Sequence, residues 1–284
     1  MSEEKPVLLK TLINTNELAT LLGQPNVVVL DCRFYLTDHA KGRSEYEKGH
    51  IPGAIFVDVH HELASPETQT TGRHPLPDEN VFSKQLQDWG IETHSKVVVY
   101  DDMGGAIAAR AWWMLSQQDI DVRVLNGGFP AWVKEGRDVS QTPTVPVAAE
   151  HKVAVSFPWA ITEQAVIENF ETNQFQLVDA RSSDRFNGEN ETMDPVAGHI
   201  PGAINRPFAD NLDPDGYFKP AEQLHVEWQD WLSDDCDAYV YYCGSGVTAC
   251  HNVLALNYAG IGAKQVYVGS WSQWAKRMLR ATAL

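Results

Sequence analysis

The chain has 284 residues, 43% of them hydrophobic and 10% aromatic, which suits two folded domains and excludes disorder and low complexity. Its formal net charge of −16 at pH 7 argues against nucleic acid or an anionic membrane surface as a partner. No apolar run approaches the ~20 residues of a membrane span, and residues 1–5 lack the basic start of a secretory signal, so we expect a cytoplasmic protein.

Short apolar strands alternate with amphipathic helices along the chain. In the first half, the pattern predicts strands at 27–31, 97–100 and 122–125 and helices at 81–89 and 106–116. In the second half, it predicts strands at 176–179, 239–242 and 265–268 and helices near 221–232 and 248–257. This alternation predicts an α/β fold in which a mostly parallel sheet is flanked by helices.

The two halves of the chain carry the same landmarks in the same order. The motif Asp-x-Arg at 31–33 recurs at 179–181, and Gly-His-Ile-Pro-Gly-Ala-Ile at 49–55 recurs at 198–204. A period this long indicates a duplicated domain rather than a solenoid. We therefore predict an N-terminal domain at 7–138, a proline-bearing linker at 139–158 and a C-terminal domain at 159–284.

Residues kept in both copies are expected to serve the fold. The Asp-x-Arg motifs predict structural ion pairs at strand ends, and we expect His50 and His199 to satisfy local hydrogen bonds. One position differs between the copies, because the strand at 97–100 leads to Asp101 whereas the strand at 239–242 leads to Cys243. We predict that the N-terminal domain is catalytically inactive and that the C-terminal domain carries the chemistry.

Cys243 stands where a buried strand meets a loop of small residues and then a helix. The loop continues as Gly244, Ser245 and Gly246, and the helix is predicted to begin at Thr248. Inward-facing backbone N–H groups and the positive end of the helix favour an anionic sulfur. A phosphatase that uses a cysteine loop needs an arginine six residues after the cysteine, and here that residue is alanine.

The other cysteines carry no predicted chemistry. Their spacing matches neither Cys-x-x-Cys redox motifs nor zinc ligands, so no metal is predicted. We expect Cys32 and Cys250 to be inert core thiols. Cys236, placed among three aspartates, is expected to be an exposed loop residue.

With these landmarks the chain resembles the two-domain rhodanese-type sulfurtransferases over nearly its whole length. Its loop from Cys243 to Thr248 is similar to that of the 3-mercaptopyruvate sulfurtransferases, since the thiosulfate-preferring members carry basic residues directly after the cysteine. The resemblance implies two tandem rhodanese-like domains, no cofactor, and a small-molecule sulfur donor. It further implies a persulfide on Cys243, which is passed to a thiol, a thioredoxin-like protein or cyanide.

The resemblance also assigns site residues. It implies catalytic roles for Cys243 and Ser245 and donor binding by the following residues: Arg185, Gly244, Gly246, Val247, Thr248 and His74. Arg185 matches the arginine that binds the donor carboxylate. The chain departs from the family at 190–195, which holds acidic residues instead of a second arginine, and at His60, which stands at the acid position of the serine–histidine–acid relay.

Three alternatives stay open at this stage. The donor is 3-mercaptopyruvate or thiosulfate, and the protein is an enzyme or a sulfur-relay module. The loop that carries Arg73 and His74 either reaches across the domain interface or lies on the surface. For Arg110, which follows the equivalent loop of the first domain, packing or pairing between the domains is expected.

Overall fold

The computed structural model describes residues 9–232, 236 and 238–282. The N-terminal domain contains β1 (Leu12–Ile13), α1 (Thr15–Leu21), β2 (Val27–Asp31), α2 (Lys41–Lys48), β3 (Ile55–Phe56), α3 (Glu79–Asp88), β4 (Lys96–Tyr100), α4 (Ala108–Ser116), β5 (Asp121–Leu125) and α5 (Gly128–Lys134). The C-terminal domain contains β6 (Ala160–Ile161), α6 (Glu163–Thr172), β7 (Gln176–Asp179), α7 (Ser183–Phe186), β8 (Ile204–Asn205), a 3-10 turn (Phe208–Asn211), α8 (Ala221–Trp231), β9 (Tyr239–Tyr242), α9 (Ala249–Tyr258), β10 (Val266–Tyr267) and α10 (Ser270–Thr282).

The two domains have the same sheet topology. The strand order is β1-β5-β4-β2-β3 in the first sheet and β6-β10-β9-β7-β8 in the second, and neighbouring strands run parallel. The middle strand of each sheet, β4 or β9, ends one residue before the position where the copies differ, Asp101 or Cys243. The predicted α/β fold with parallel sheets flanked by helices is therefore confirmed.

The Asp-x-Arg motifs form the predicted ion pairs. Nη2 of Arg33 lies 2.6 Å from Asp31, and Nη2 of Arg181 lies 2.7 Å from Asp179, all four side chains being almost fully buried. Each arginine also donates to the carbonyl of the glycine that opens the Gly-His-Ile-Pro-Gly-Ala-Ile segment, at 2.7 Å in both domains. The pairs therefore tie a strand end to the loop that feeds the edge strand.

The repeated histidines are held locally, as expected. Nδ1 of His50 donates to the Tyr46 carbonyl at 2.7 Å, and Nδ1 of His199 donates to the Phe186 carbonyl at 2.8 Å. Each imidazole stacks at 3.8 Å on the ring of the residue whose carbonyl it binds. These contacts serve the backbone rather than a ligand.

The domains meet along their central helices. Helix α4 of the first domain packs against helix α9 of the second, and one hydrophobic core runs through both. The indole N–H of Trp113 crosses this interface to the carbonyl of Lys264 at 2.7 Å. Because α4 follows Asp101 and α9 follows Cys243, this packing brings the two equivalent loops together at one end of the interface.

Candidate active site

A cavity of about 370 Å³ opens between the domains at the end of strand β9. Its walls come from both halves of the chain: Phe34, Tyr35, Leu36, Thr37, Arg73, His74, Met103, Ala106 and Ile107 from the first domain, and Arg185, Phe208, Cys243, Gly244, Ser245, Val247 and Thr248 from the second. Apart from Gly246, every residue assigned to the site from the sequence lines this cavity. The loop with Arg73 and His74 therefore reaches across the interface.

Cys243 is fixed at the floor of the cavity by its backbone. Its N–H donates to the Ser270 hydroxyl at 3.1 Å, and its carbonyl accepts from Trp271 N–H at 3.0 Å. The side chain is 2% exposed, and the backbone N–H of Gly246 donates to its sulfur at 3.2 Å. One loop amide therefore already points at the sulfur.

Gly246 is held in a conformation that requires glycine. Its φ is +77°, and a Cβ at this position would lie 2.3 Å from the carbonyl oxygen of Val268. The tight approach to Val268 aims the Gly246 N–H at the sulfur. Thr248 occupies the N-cap position of α9, and its side chain makes no capping hydrogen bond.

Two arginines from different domains flank Gly244. A Cβ at Gly244 would lie 3.0 Å from Nη2 of Arg73 and 3.6 Å from Nη2 of Arg185. Residues 190–195 contain no cation, and Arg73 brings a second guanidinium to the site from the first domain. Sequence reasoning left the position of Arg73 open because only the packing of the domains decides it.

Buried carboxylates hold these two arginines. Arg185 Nη2 donates to Glu191 at 2.9 Å and lies 3.6 Å from Asp194, while Arg73 pairs with Asp194 through Nη1. Burial alone would raise the pKa of Glu191, but hydrogen bonds led by that from Arg185 bring it below its usual value. Burial raises the pKa of Asp194, and Arg73 only partly offsets this. Glu191 and Asp194 thus fix the two guanidinium groups beside Gly244.

Ser245 and His74 form the contact expected from the resemblance. The hydroxyl of Ser245 lies 2.9 Å from Nδ1 of His74, and both residues are buried. Burial, with Arg110 as the next cause, lowers the pKa of His74 to about 3, so the imidazole is neutral at neutral pH. Among the described residues Nε2 of His74 has no hydrogen-bond partner. His60, which stands at the acid position of the relay, lies edge-on to His74 with 5.5 Å between the ring centroids.

The equivalent loop of the first domain is filled by its own side chain. The Asp101 carboxylate accepts four backbone hydrogen bonds of 2.7–2.9 Å, from residues 103, 105, 107 and 108. The carboxylate of Asp101 therefore occupies a cradle of backbone N–H groups that binds an anion. In the equivalent loop of the second domain, the backbone N–H of Gly246 donates to the sulfur of Cys243.

The remaining cysteines lie away from the cavity. Cys32 and Cys250 are fully buried, as expected, and burial raises the pKa of the Cys250 thiol to about 12. The expectation of an exposed Cys236 is wrong: the residue is half-buried, and its thiol donates to the Ala238 carbonyl at 3.0 Å. The aspartates at 234, 235 and 237 lie outside the described residues.

No metal site or membrane span occurs in the part of the chain that the structure describes. Within residues 9–232, 236 and 238–282, no group of three or more histidine, cysteine and acidic side chains could hold a metal ion. Across the same residues, each helix is too short or too polar to cross a bilayer.

The chain belongs to the Rhodanese-like domain family, which it matches twice, at residues 14–135 and 162–277. A probable 3-mercaptopyruvate sulfurtransferase of Pseudomonas aeruginosa is 43% identical over 268 residues, covering 93% of this chain and 94% of that one. A thiosulfate sulfurtransferase of Mus musculus is 37% identical over 281 residues, covering 95% and 94%. The structure of a 3-mercaptopyruvate sulfurtransferase from Leishmania major superposes with a TM-score of 0.85 at 31% identity, covering 96% of this chain and 76% of that one.

Proposed function

We propose that the protein is a sulfurtransferase that moves sulfur from 3-mercaptopyruvate to a thiol, a thioredoxin-like protein or cyanide through a persulfide on Cys243. One observation carries this proposal: two guanidinium groups stand beside Gly244, directly next to the buried Cys243, in a cavity open to small molecules. A donor that bears a carboxylate two carbons from its sulfur-bearing carbon fits this spacing of charge and nucleophile. The 43%-identical relative named as a probable 3-mercaptopyruvate sulfurtransferase supports it.

The first half-reaction needs no external oxidant. The Cys243 thiolate attacks the donor sulfur, an S–S bond forms, and the C–S bond of the donor breaks with its electron pair left on carbon. The sulfur is oxidised while the carbon is reduced, so pyruvate leaves as its enolate. Proton transfer to the enolate carbon gives pyruvate. In this scheme the donor thiol supplies the proton, which it loses as its sulfur becomes the outer sulfur of the persulfide, and the Ser245 hydroxyl, hydrogen-bonded to neutral His74, relays it to the carbon.

The second half-reaction returns the enzyme to its starting state. An acceptor thiolate or cyanide attacks the outer sulfur, a new bond to that sulfur forms, and the S–S bond breaks with its electron pair returning to Cys243. Gly244, Val247 and Thr248 line the cavity where the outer sulfur would sit. Gly246 does not line it, and its role in this scheme is the amide bond to the Cys243 sulfur.

Arg185 and Arg73 bind the donor carboxylate in this scheme. Among the described residues, Nη2 of Arg73 and Nη1 of Arg185 have no hydrogen-bond partner, and they lie 3.0 Å and 3.7 Å from the position of a Cβ at Gly244. Guanidinium groups bind carboxylates through paired N–H donors. Glu191 and Asp194 neutralise the charge of Arg73 and Arg185 when no substrate is bound. The two arginines therefore offer N–H groups to the substrate carboxylate rather than a large excess of positive charge.

Thiosulfate is the second candidate donor. The relative from Mus musculus, named a thiosulfate sulfurtransferase, aligns with 95% of the chain, and a pair of guanidinium groups also suits a dianion. The neutral residues Gly244 and Ser245 favour the oxo acid, because no lysine or arginine follows the cysteine directly.

The N-terminal domain, placed at 7–138 from the sequence, has no transfer chemistry in this proposal. Asp101 fills the anion cradle at the position of the sulfur, and a carboxylate cannot form a persulfide. The domain instead supplies Arg73 and His74 to the cavity of the C-terminal domain at 159–284, to which the segment 139–158 connects it.

Product formation from the two donors tests the proposal. Pyruvate release from 3-mercaptopyruvate and sulfite release from thiosulfate are measured with the wild type and Cys243→Ser, with cyanide as acceptor. We expect the wild type to prefer 3-mercaptopyruvate and the variant to lose both activities. Treatment with donor alone should add one sulfur, about 32 Da, to the Cys243 peptide and none to peptides with Cys32 or Cys250. Sulfur on another cysteine, or turnover by Cys243→Ser, contradicts the proposal.

A further inference from the structure

The two domains hold each other's loops through a reciprocal pair of contacts. Nη1 of Arg110, on α4, donates to the carbonyl of Gly246 at 2.9 Å. Nε2 of His251, on α9, donates to the carbonyl of Gly104 at 3.1 Å. Gly246 and Gly104 each lie three residues after the position that differs between the copies, and Arg110 and His251 are the third residues of equivalent helices. The two contacts have the same geometry, but an arginine makes one and a histidine makes the other.

Arg110 is a buried cation that pairs with no carboxylate of the described residues. Its side chain is fully buried, and the guanidinium binds three carbonyls, those of Gly246, Leu63 and His74, at 2.9–3.1 Å. Among the described residues no carboxylate forms an ion pair with it, and its Nε has no hydrogen-bond partner. A buried charge is costly to leave uncompensated. Burial lowers the pKa of Arg110, and the groups that oppose this are the thiols of Cys250 and Cys243.

Of the two loops, only that of Cys243 contacts a charged side chain in this pair of contacts, because His251 is neutral. Burial lowers the pKa of His251 to about 4, so this residue is neutral where it meets the first-domain loop. That loop already holds the Asp101 carboxylate with four backbone N–H groups. The loop of Cys243 directs one N–H to the sulfur and receives, from the partner helix, a guanidinium instead of an imidazole.

We propose that Arg110 is a positioning residue whose buried charge is the counter-ion of the Cys243 sulfur anion and of its persulfide. The coupling runs through Gly246, whose carbonyl binds Arg110 and whose N–H binds the sulfur. Through the His74 carbonyl, Arg110 also fixes the loop that carries the partner of Ser245. The inference rests on the proposed function only in taking Cys243 as the residue that carries sulfur.

The other ionisable groups around the sulfur do not substitute for this charge. Arg73 and Arg185 are partly exposed, and both pair with the buried Glu191–Asp194 carboxylates. His74 is neutral, and burial keeps the Cys250 thiol protonated. Arg110 is therefore the cation at the Cys243 loop that no described carboxylate neutralises.

Alkylation of Cys243 by iodoacetamide, followed by mass spectrometry over a range of pH, tests this role without any sulfur donor. Arg110→Lys keeps the charge with fewer donors, and Arg110→Gln keeps neutral N–H donors without the charge. We expect the pH of half-maximal alkylation rate to rise by about one unit in Arg110→Gln, which slows alkylation at neutral pH about tenfold, and to rise less in Arg110→Lys. The matched control His251→Gln, which alters the reciprocal contact, should keep the wild-type profile.

Three results would overturn the inference: an unchanged profile in Arg110→Gln, equal shifts in the lysine and glutamine variants, or an equal shift in His251→Gln. If the Arg110 variants do not fold, the wild type is measured at about 0.05 and 1 M salt. A buried counter-ion is little screened, so the profile should stay within about 0.3 pH units, whereas a shift of about one unit would assign the charge to exposed arginines. Because alkylation needs no donor, failure of both donors to react would refute the proposed function and leave this result standing.

Discussion

The Ser245 hydroxyl lies 2.9 Å from Nδ1 of His74, although 171 positions and a domain boundary separate the two residues. The neutral imidazole of His74 shares one hydrogen bond with this hydroxyl and places no charge near the sulfur. Nε2 of His74 has no hydrogen-bond partner among the described residues, so no described acid extends the pair. The arrangement therefore suits proton delivery to an enolate better than activation of Cys243 as an acid–base pair.

Removal of the Ser245 hydroxyl should slow the step that protonates the enolate. We expect Ser245→Ala to lower kcat with 3-mercaptopyruvate roughly tenfold to hundredfold, since a positioned proton donor contributes on that order or more. Thiosulfate releases sulfite without an enolate, so its kcat should change less than about threefold. Steady-state kinetics with both donors decide the matter, and equal losses would show that Ser245 serves the loop geometry instead.

Burial of neutral His74 makes part of the folding stability depend on pH. The pKa of His74 is about 3 in the folded chain and about 6.5 in the unfolded chain. As the pH falls below about 6.5, the unfolded chain therefore binds a proton at this residue that the folded chain does not bind. Stability from this residue is present above about pH 6.5 and is lost toward pH 3. We expect His74→Asn to flatten the fall in the free energy of unfolding between about pH 6.5 and 4.5. Urea unfolding measures the slope, and an unchanged slope contradicts the assignment.

The two arginines beside Gly244 should distinguish between donors. We expect Arg73→Gln and Arg185→Ala each to raise KM for 3-mercaptopyruvate about tenfold or more, because each removes hydrogen bonds to a charged group. The rise for thiosulfate, which has no carboxylate, should be smaller. Arg123→Gln, which removes an arginine paired with Asp121 on another part of the first domain, is the control and should leave both KM values unchanged. Equal rises in KM for the two donors would show that these arginines do not recognise the carboxylate of 3-mercaptopyruvate.

The central part of each domain was predictable because its signals are local. The runs that form β2, β4, β7 and β9 are apolar and end in the repeated landmarks, so their bounds come within a residue of the prediction. The two-residue edge strands β1 and β6 were not predicted, since so short a segment carries no period-two pattern. Helix α1 was also missed, although the Asn14 and Glu17 capping box that begins it is visible in the sequence.

The candidate site was predictable only where it lies on one stretch of chain. Cys243 and its loop follow a strand and precede a helix, and that local pattern identifies them. Arg73 and Arg110 reach the loop through the packing of α4 on α9, which no local pattern encodes. The sequence shows that the 190–195 segment lacks a second arginine. It does not show that Arg73 takes this place, because Arg73 lies 121 positions from Asp194, the carboxylate with which it pairs.

The buried ion pair of the first domain should matter for stability and not for donor binding. We expect Asp31→Asn to lower the free energy of unfolding by about 3 kcal/mol, because it leaves the buried Arg33 without its counter-ion. The exposed pair of Lys84 and Asp88 gives the control, and Asp88→Asn should cost less than about 0.5 kcal/mol. Urea unfolding provides both values. Similar costs for the two variants would show that burial of the first pair has no energetic consequence.

Gly246 should be the most sensitive glycine of the loop. Gly246 and Gly23 both have a positive φ. A Cβ at Gly246 would lie 2.3 Å from the carbonyl oxygen of Val268, whereas a Cβ at Gly23 would have nothing within 4 Å. We expect Gly246→Ala to displace the N–H from the Cys243 sulfur and to reduce sulfur transfer more than about tenfold. Gly23→Ala carries the cost of the left-handed conformation alone, about 1 kcal/mol of stability, and should keep full activity. An active Gly246→Ala enzyme would mean that the loop amide contributes little to the reactivity of the sulfur.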